Sequence, residues 1–339
     1  MRAMILRSMA TLAENPSPLT LVDIPQPQAA DNEILLRVSV CGVCHTELDE
    51  IEGRAPPPRL PVVPGHEVIG RVVALGRDCK RLRVGERVGV GWIHTSSGSL
   101  DENISESFRA TGRDVKGGYA QFMTVPETYA YRIPDAFTDE EAAPLLCAGG
   151  VGYRSLRLTG IENEQVLGLT GFGGSGHLVL QLAQHLYPRG KVFVFARSPR
   201  EREFALELGA DWSGDTADQP PERPHAIIDT TPAWRPVLAA LENLQPGGRL
   251  VINAIRKESA DVELLAGISY EKHLWLEKEI KTVANVTHRD LEEFLPIAAR
   301  VPLRVATETY PLQRANEALC DLRAGHVRGA KVLLVDESA

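Results

Sequence analysis

The stretch Gln165-Val166-Leu167-Gly168-Leu169-Thr170-Gly171-Phe172-Gly173-Gly174-Ser175-Gly176-His177 decides the fold of the second half of this chain. An apolar run that reads as a strand passes into G-x-G-x-x-G, and the turn opens a helix predicted from His177 to Leu186. Gly171 permits the tight turn, Gly173 lets a pyrophosphate approach the backbone, and Gly176 lets helix pack on strand. Gly174 lies within the turn, and the unpaired N–H groups of the helix N-terminus that follows suit an anion. Alone, such a motif also fits a plain glycine turn. Its strand–turn–helix setting favours a dinucleotide site.

Outward from this turn the same grammar repeats. Lys191–Phe195 reads as a strand before a helix from Pro199 to Leu208. Ala226–Asp229 and Arg249–Asn253 continue the alternation with Val237–Leu244 helical between them, and Lys281–Val286 is the expected last strand. Continuous apolar strands alternating with amphipathic helices predict an α/β, doubly wound parallel Rossmann sheet covered on both faces. The second strand ends Val194-Phe195-Ala196-Arg197-Ser198-Pro199-Arg200, without the acid that an NAD site uses to hold the ribose 2′-OH. Arg197 or Arg200, beside Ser198, would instead fork onto a 2′-phosphate, which favours NADP(H) over NAD(H). Solvated helix-start arginines, or an arginine stacked on adenine, are the competing readings.

At 339 residues the chain has room for about two domains, each with its own core. Its 43% hydrophobic and 24% charged composition is that of a globular protein. A net charge of −8 and the lack of a long basic block argue against a nucleic-acid partner. No apolar stretch is long enough to span a bilayer, and the N-terminus carries no signal core. Five cysteines in this length do not resemble a disulfide framework, so a reduced, cytoplasmic setting is expected.

The first part of the chain differs. Glu33–Val40, Val68–Leu75 and Arg87–Val90 read as strands, and the Pro-rich run Ala55–Pro61 as a loop, since proline removes ladder donors. Three short motifs carry its chemistry: Cys41-Gly42-Val43-Cys44-His45-Thr46-Glu47, Pro64-Gly65-His66-Glu67 and Pro144-Leu145-Leu146-Cys147-Ala148-Gly149-Gly150. Two thiolates and an imidazole suit Zn²⁺, and three protein ligands leave a fourth position open. The C-x-x-C alone also fits redox chemistry or half of a structural zinc site, but no second C-x-x-C exists to complete a Cys₄ set.

Taken with the glycine turn and in this order, the three motifs resemble the zinc-containing alcohol dehydrogenases of the medium-chain dehydrogenase/reductase family, over nearly the whole chain. The resemblance implies that Cys44, His66 and Cys147 bind one catalytic zinc per subunit, with Glu67 the nearby acid that tunes the metal or binds it transiently. It makes Thr46 the hydroxyl that passes on the alcohol proton and His45 a contact for the cofactor pyrophosphate. Zn²⁺ would let a neutral alcohol lose its proton near neutral pH and give hydride to nicotinamide, or in reverse polarise an aldehyde carbonyl. Cys41 is expected to pack at the strand end.

Three departures stand out. The lobe from Val90 to Gly118, where most of these enzymes carry four cysteines for a structural zinc, contains none, so one zinc is expected. A carboxylate substitute from Asp101, Glu102 or Glu106 is the alternative to a solvated acidic loop. Asp49 stands where relatives often have a relay histidine, and either Asp49 or solvent takes the proton. Val151 stands where many relatives have threonine. Trp92 and His94 are candidate pocket residues. Cys79, Cys320, His177, His225, His273, His288 and His326 read as structural.

The implied architecture is a β-rich, GroES-like catalytic domain from residues 1–150 and 290–339 around a Rossmann domain at 151–289, with the active site in the cleft between them. The expected assembly is a homodimer or homotetramer joined through the nucleotide domain. The substrate is a small alcohol or aldehyde. A polyol dehydrogenase is disfavoured because such relatives often replace the last cysteine by an acid, and a zinc-free quinone reductase because that branch lacks the ligands. A non-catalytic NADPH-binding scaffold is the reading from another class.

Overall fold

In the computed structural model, Val166–Thr170 is the strand that precedes the glycine turn, and it lies inside a six-stranded, all-parallel sheet. The strand order is Trp212–Gly214, Lys191–Phe195, Val166–Thr170, Ala226–Asp229, Arg249–Ile252 and Glu279–Thr282. Numbered along the sequence this is 3-2-1-4-5-6, the doubly wound order. Every residue of Val166–Thr170 and Ala226–Asp229 is buried, as expected for strands covered on both faces. Helix Gly174–Leu186 covers the sheet with Leu178, Val179, Leu182 and Ala183, and burying each of the leucines and the valine contributes about 1.5–3 kcal/mol.

The structure describes residues 1–325 and 329–335; His326 lies outside them. It comprises two units, one of residues 148–284 with 300–304 and one of residues 1–147, 285–299 and 305 onward. These bounds fall a few residues from the 150 and 289 read from the change of pattern. Cys147 ends the first segment of one unit, and helix Ala148–Thr159 belongs to the other. The expected strand Lys281–Val286 is corrected to Glu279–Thr282. Its register pairs Arg249 with Glu279, where the guanidinium also grips the carboxylate at 2.8 and 3.1 Å, so the strand starts earlier than its apolar residues suggest.

The first unit is organised by Glu33–Val43, an eleven-residue strand. It pairs antiparallel with Val68–Leu75, with Phe122–Pro126 and with Ala330–Leu334, so the C-terminal tail returns to the first unit. Leu36, Val38, Val68, Val88, Met123, Leu319 and Leu333 meet in its core. A short helix, His45–Ile51, follows the long strand directly. Among the described residues, no helix is long and apolar enough to cross a membrane.

Candidate active site

Pairing of two strands brings the first two ligand motifs together. Cys41 faces Val68 across the ladder, so the ends of Glu33–Val43 and Val68–Leu75 coincide. Cys44 then caps helix His45–Ile51, while His66 and Glu67 lie just before Val68. Two glycines make the approach possible. A Cβ on Gly42 would fall 1.9 Å from Glu67 Oε2, and one on Gly65 (φ +100°) would fall 2.4 Å from Tyr119 and 2.8 Å from Cys41 Sγ. Cys41 therefore packs in this narrow space. Cys147 arrives at the end of the tight turn Ala143–Leu146.

The ligand atoms of Cys44, His66, Glu67 and Cys147 all lie within 4.8 Å of one another, the one such group of His, Cys, Asp and Glu found among the described residues. The two sulfurs are 3.9 Å apart. Glu47, fully buried, holds the cluster from beneath. Its Oε1 is 2.5 Å from His66 Nδ1, and its Oε2 accepts the Cys44 N–H at 2.9 Å. That bond puts the imidazole proton on Nδ1 and leaves the Nε2 lone pair exposed to the cluster, where it is buried without a partner.

Electrostatics point the same way. The hydrogen bond from Cys147, against the effect of burial, draws the Cys44 thiol well below its ordinary value; the same bond and burial push Cys147 well up. Burial, and then the charge of Cys44, push Glu67 well up. Burial alone would lower His66, but Glu47 and Cys44 lift it well above the usual imidazole value. In this buried cage Glu67 and the Cys147 thiol give up their protons readily only with a positive charge nearby. A divalent cation with borderline-soft preference would supply that charge and fits the S/N donor set.

The other expected residues fall around this cage or in the second unit. Thr46 is buried, with its Oγ1 3.7 Å from Cys44 Sγ. His45 is exposed on the first turn of the same helix. Asp49 is buried and its Oδ1 accepts from Arg54 Nε at 2.6 Å. The Trp92 ring lies 6.2 Å from that of His66 and 5.3 Å from Phe108, so an aromatic wall adjoins the cage. His94 is buried with Nδ1 unpartnered and Nε2 3.9 Å from Glu33 Oε1, and burial lowers its affinity for protons. In the cysteine-free lobe, the buried Glu102 carboxylate accepts from Tyr129 OH at 2.8 Å and from the His288 backbone N–H at 2.5 Å, bonds that tie the lobe to two distant segments. Asp101 and Glu106 are exposed.

In the second unit, the glycines serve separate ends. Gly171 has φ +82°, and a Cβ there would press on Thr230 and Thr231. A Cβ on Gly176 would lie 2.8 Å from Gly171 O, where helix meets strand. Around Gly173 a Cβ would meet no protein atom, so the space over this residue is open to a ligand. Gly174 begins the helix, and no side chain caps its N-terminus. Arg197 and Arg200 are exposed at the start of helix Pro199–Glu207, and Ser198, its N-cap, makes no capping bond. Arg202, by contrast, turns inward onto Ala196 O and Asp215. His177 packs in its helix, bonded to Gly173 O at 3.1 Å.

Residues 30–135 match the alcohol dehydrogenase GroES-like domain. The chain is 40% identical over 329 residues to a probable alcohol dehydrogenase, AdhA, of Mycobacterium tuberculosis, covering 94% of this chain and 93% of the relative. It belongs to the alcohol dehydrogenases of the medium-chain dehydrogenase/reductase family. An alcohol dehydrogenase of Geobacillus stearothermophilus is 29% identical over 344 residues, 96% of this chain and 99% of that one. Among solved structures, a cinnamyl alcohol dehydrogenase from Sorghum bicolor superposes with a TM-score of 0.85 at 25% identity, over 100% of this chain and 98% of that one.

Within this family's frame, Glu47 is the residue whose role the motif reading passed over. The signal was available: Cys44 at the N-cap and Glu47 three residues on have the spacing of a capping box.

Proposed function

We propose that this protein is a zinc-dependent, NAD(P)-linked alcohol dehydrogenase or aldehyde reductase, which moves hydride between a small alcohol or aldehyde and the nicotinamide. One observation carries the reading: four ligand atoms from three separated motifs within 4.8 Å, with His66 Nε2 buried, unpartnered and oriented by Glu47. Cys44, His66 and Cys147 would hold Zn²⁺, with Glu67 alongside. Zinc bound there supplies Lewis acidity toward the substrate oxygen. Thr46 Oγ1 takes the proton of the substrate hydroxyl and passes it outward. Asp49, whose Oδ1 is paired with Arg54 Nε, is the proposed acceptor further along. An Asp49→Ala variant with an unaltered pH–rate profile would remove it from this role. Trp92 and Phe108 form an aromatic wall on one side of the cage.

The helix N-terminus at Gly174 and the open space over Gly173 receive the pyrophosphate, with His45 a further contact. Exposed Arg197 and Arg200, with Ser198, support NADP(H) over NAD(H). The commitment of Glu102 to Tyr129 and His288 supports one zinc per subunit. Exposed Ile280 on the outer strand Glu279–Thr282, with exposed Tyr270, Leu274 and Trp275 nearby, supports self-association through the nucleotide unit as a homodimer or homotetramer. A cytoplasmic setting accords with five free cysteines.

The test is alcohol-dependent reduction of NADP⁺ and NAD⁺ by the purified protein and by Cys147→Ser. Turnover by the wild type, with a higher kcat/KM for NADP⁺ and loss in the variant, is the expected result. Wild-type turnover equal to that of Cys147→Ser would refute the metal site.

A further inference from the structure

Val166–Thr170 and Ala226–Asp229 are the neighbouring strands at which the order of the parallel sheet reverses, the position where doubly wound sheets bind ligands. The segments that follow them are joined. Thr230 donates both its N–H, at 2.9 Å, and its hydroxyl, at 3.1 Å, to Thr170 O, immediately before Gly171. A Cβ on Gly171 would fall 2.8 Å from Thr230 Oγ1 and 2.9 Å from Thr231 Cγ2. The first glycine of the dinucleotide turn is thus seated directly on residues 230–231.

Lys257, from the connection after Arg249–Ile252, holds that segment. Its side chain is 10% exposed and that of Asp229 fully buried. The ammonium donates to Asp229 Oδ2, to Thr231 O at 2.7 Å and to Ala233 O at 3.1 Å. An ammonium has three N–H donors, and all three are engaged within the protein. Asp229 Oδ1 meanwhile accepts from Thr231 Oγ1 at 2.8 Å. The same connection continues the lacing: Glu258 N–H donates to Pro232 O at 2.6 Å, and the Asp261 carboxylate accepts from the N–H groups of Trp234 and Arg235.

We propose that Lys257 is a positioning residue for dinucleotide binding, which fixes residues 229–233 against Gly171 and so sets the shape of the turn that receives the pyrophosphate. The inference rests on the dinucleotide reading of that turn. A buried ion pair is a poor way to gain stability alone, since well-packed apolar residues often do as well. What an apolar residue cannot do is bind two backbone carbonyls and a carboxylate at once, which holds the loop in one conformation. Lys257 touches no cofactor atom in this scheme. It acts through Thr230 and Thr231.

Equilibrium binding of NADPH and NADH, read by nicotinamide fluorescence on the zinc-loaded protein, tests this in wild type, K257M and K257M/D229N, with Tm measured on the same samples. K257M leaves Asp229 buried opposite an apolar group, whereas the double variant removes that charge and keeps a foldable core. The expected result is a Kd raised about tenfold for both nucleotides in both variants, with Tm recovered in the double variant alone. A double variant whose Kd stays within about threefold of wild type overturns the proposal and leaves Lys257 a counter-ion for Asp229. Wild-type protein that binds neither nucleotide overturns the dinucleotide reading itself, whatever the variants do.

Discussion

Glu47→Gln is the substitution that probes the metal cage most closely, because the two oxygens of Glu47 face two donors at once. Oε1 meets His66 Nδ1 and Oε2 meets the Cys44 N–H. Glutamine keeps the shape but turns one acceptor into a donor. If its amide nitrogen faces His66, Nδ1 must accept, the ring proton moves to Nε2, and the lone pair that points at the cage is lost. If the amide nitrogen faces Cys44 instead, two N–H donors confront each other in a fully buried site. Neither orientation preserves the wild-type arrangement. Loss of such a carboxylate behind a metal-bound histidine typically costs about 10–100-fold in metal affinity, or roughly 1.4–2.7 kcal/mol. The tautomer conflict places Glu47→Gln toward the upper end, near about 100-fold. Competition for zinc with a chromogenic chelator gives both affinities. Zinc affinity within about threefold of wild type would refute the assignment of Glu47 as the group that orients His66.

Other substitutions separate the remaining parts. Gly171→Ala forces a side chain onto φ +82° and toward Thr230 and Thr231, so NADPH affinity is expected to fall at least about tenfold by fluorescence titration. Unchanged affinity would contradict the role given to this turn. Arg197→Ala combined with Arg200→Ala is expected to raise KM for NADP⁺ about tenfold and leave that for NAD⁺ unaltered; an equal effect on both would remove the 2′-phosphate assignment. Glu127 accepts the N–H groups of Lys80, Arg81 and Leu82 at 2.7–2.8 Å. Burial opposes its ionisation, but these three N–H groups hold its carboxyl below the ordinary value. Its stabilisation is therefore present above the unfolded carboxylate value of about 4.3 and is lost as pH falls through the lower folded value. Glu127→Gln is expected to cost about 2 kcal/mol at neutral pH in urea unfolding, with the two proteins converging under acid. A gap independent of pH would show that charge is not what binds this loop.

The glycine turn was legible in sequence because each of its glycines answers a separate backbone demand, and the positive φ of Gly171 and the open space over Gly173 repeat those demands in three dimensions. The ligand motifs were legible because thiol, imidazole and acid are rare side chains whose grouping has few other uses. Helix His45–Ile51 was missed: seven residues give two turns at most, too few for periodicity to speak, and the Pro-rich loop follows closely. Glu102 read as one acid in a polar loop, since its partners Tyr129 and His288 stand 27 and 186 residues away. Lys257 was invisible for the same reason, meeting Asp229 across 28 residues with no motif to link them. Local pattern reports backbone geometry and rare chemistry. Long-range pairing of common charged residues leaves no such trace.

The central claim, a single zinc cage that serves nicotinamide-linked hydride transfer, is tested most directly by titrating zinc into metal-depleted protein while following aldehyde-dependent oxidation of NADPH. The account predicts activity that is absent without metal and rises to a plateau at about one zinc per chain, the capacity of a three-ligand catalytic site with no cysteine-built second site. Activity indifferent to metal removal, or a plateau at about two zincs per chain, would contradict it.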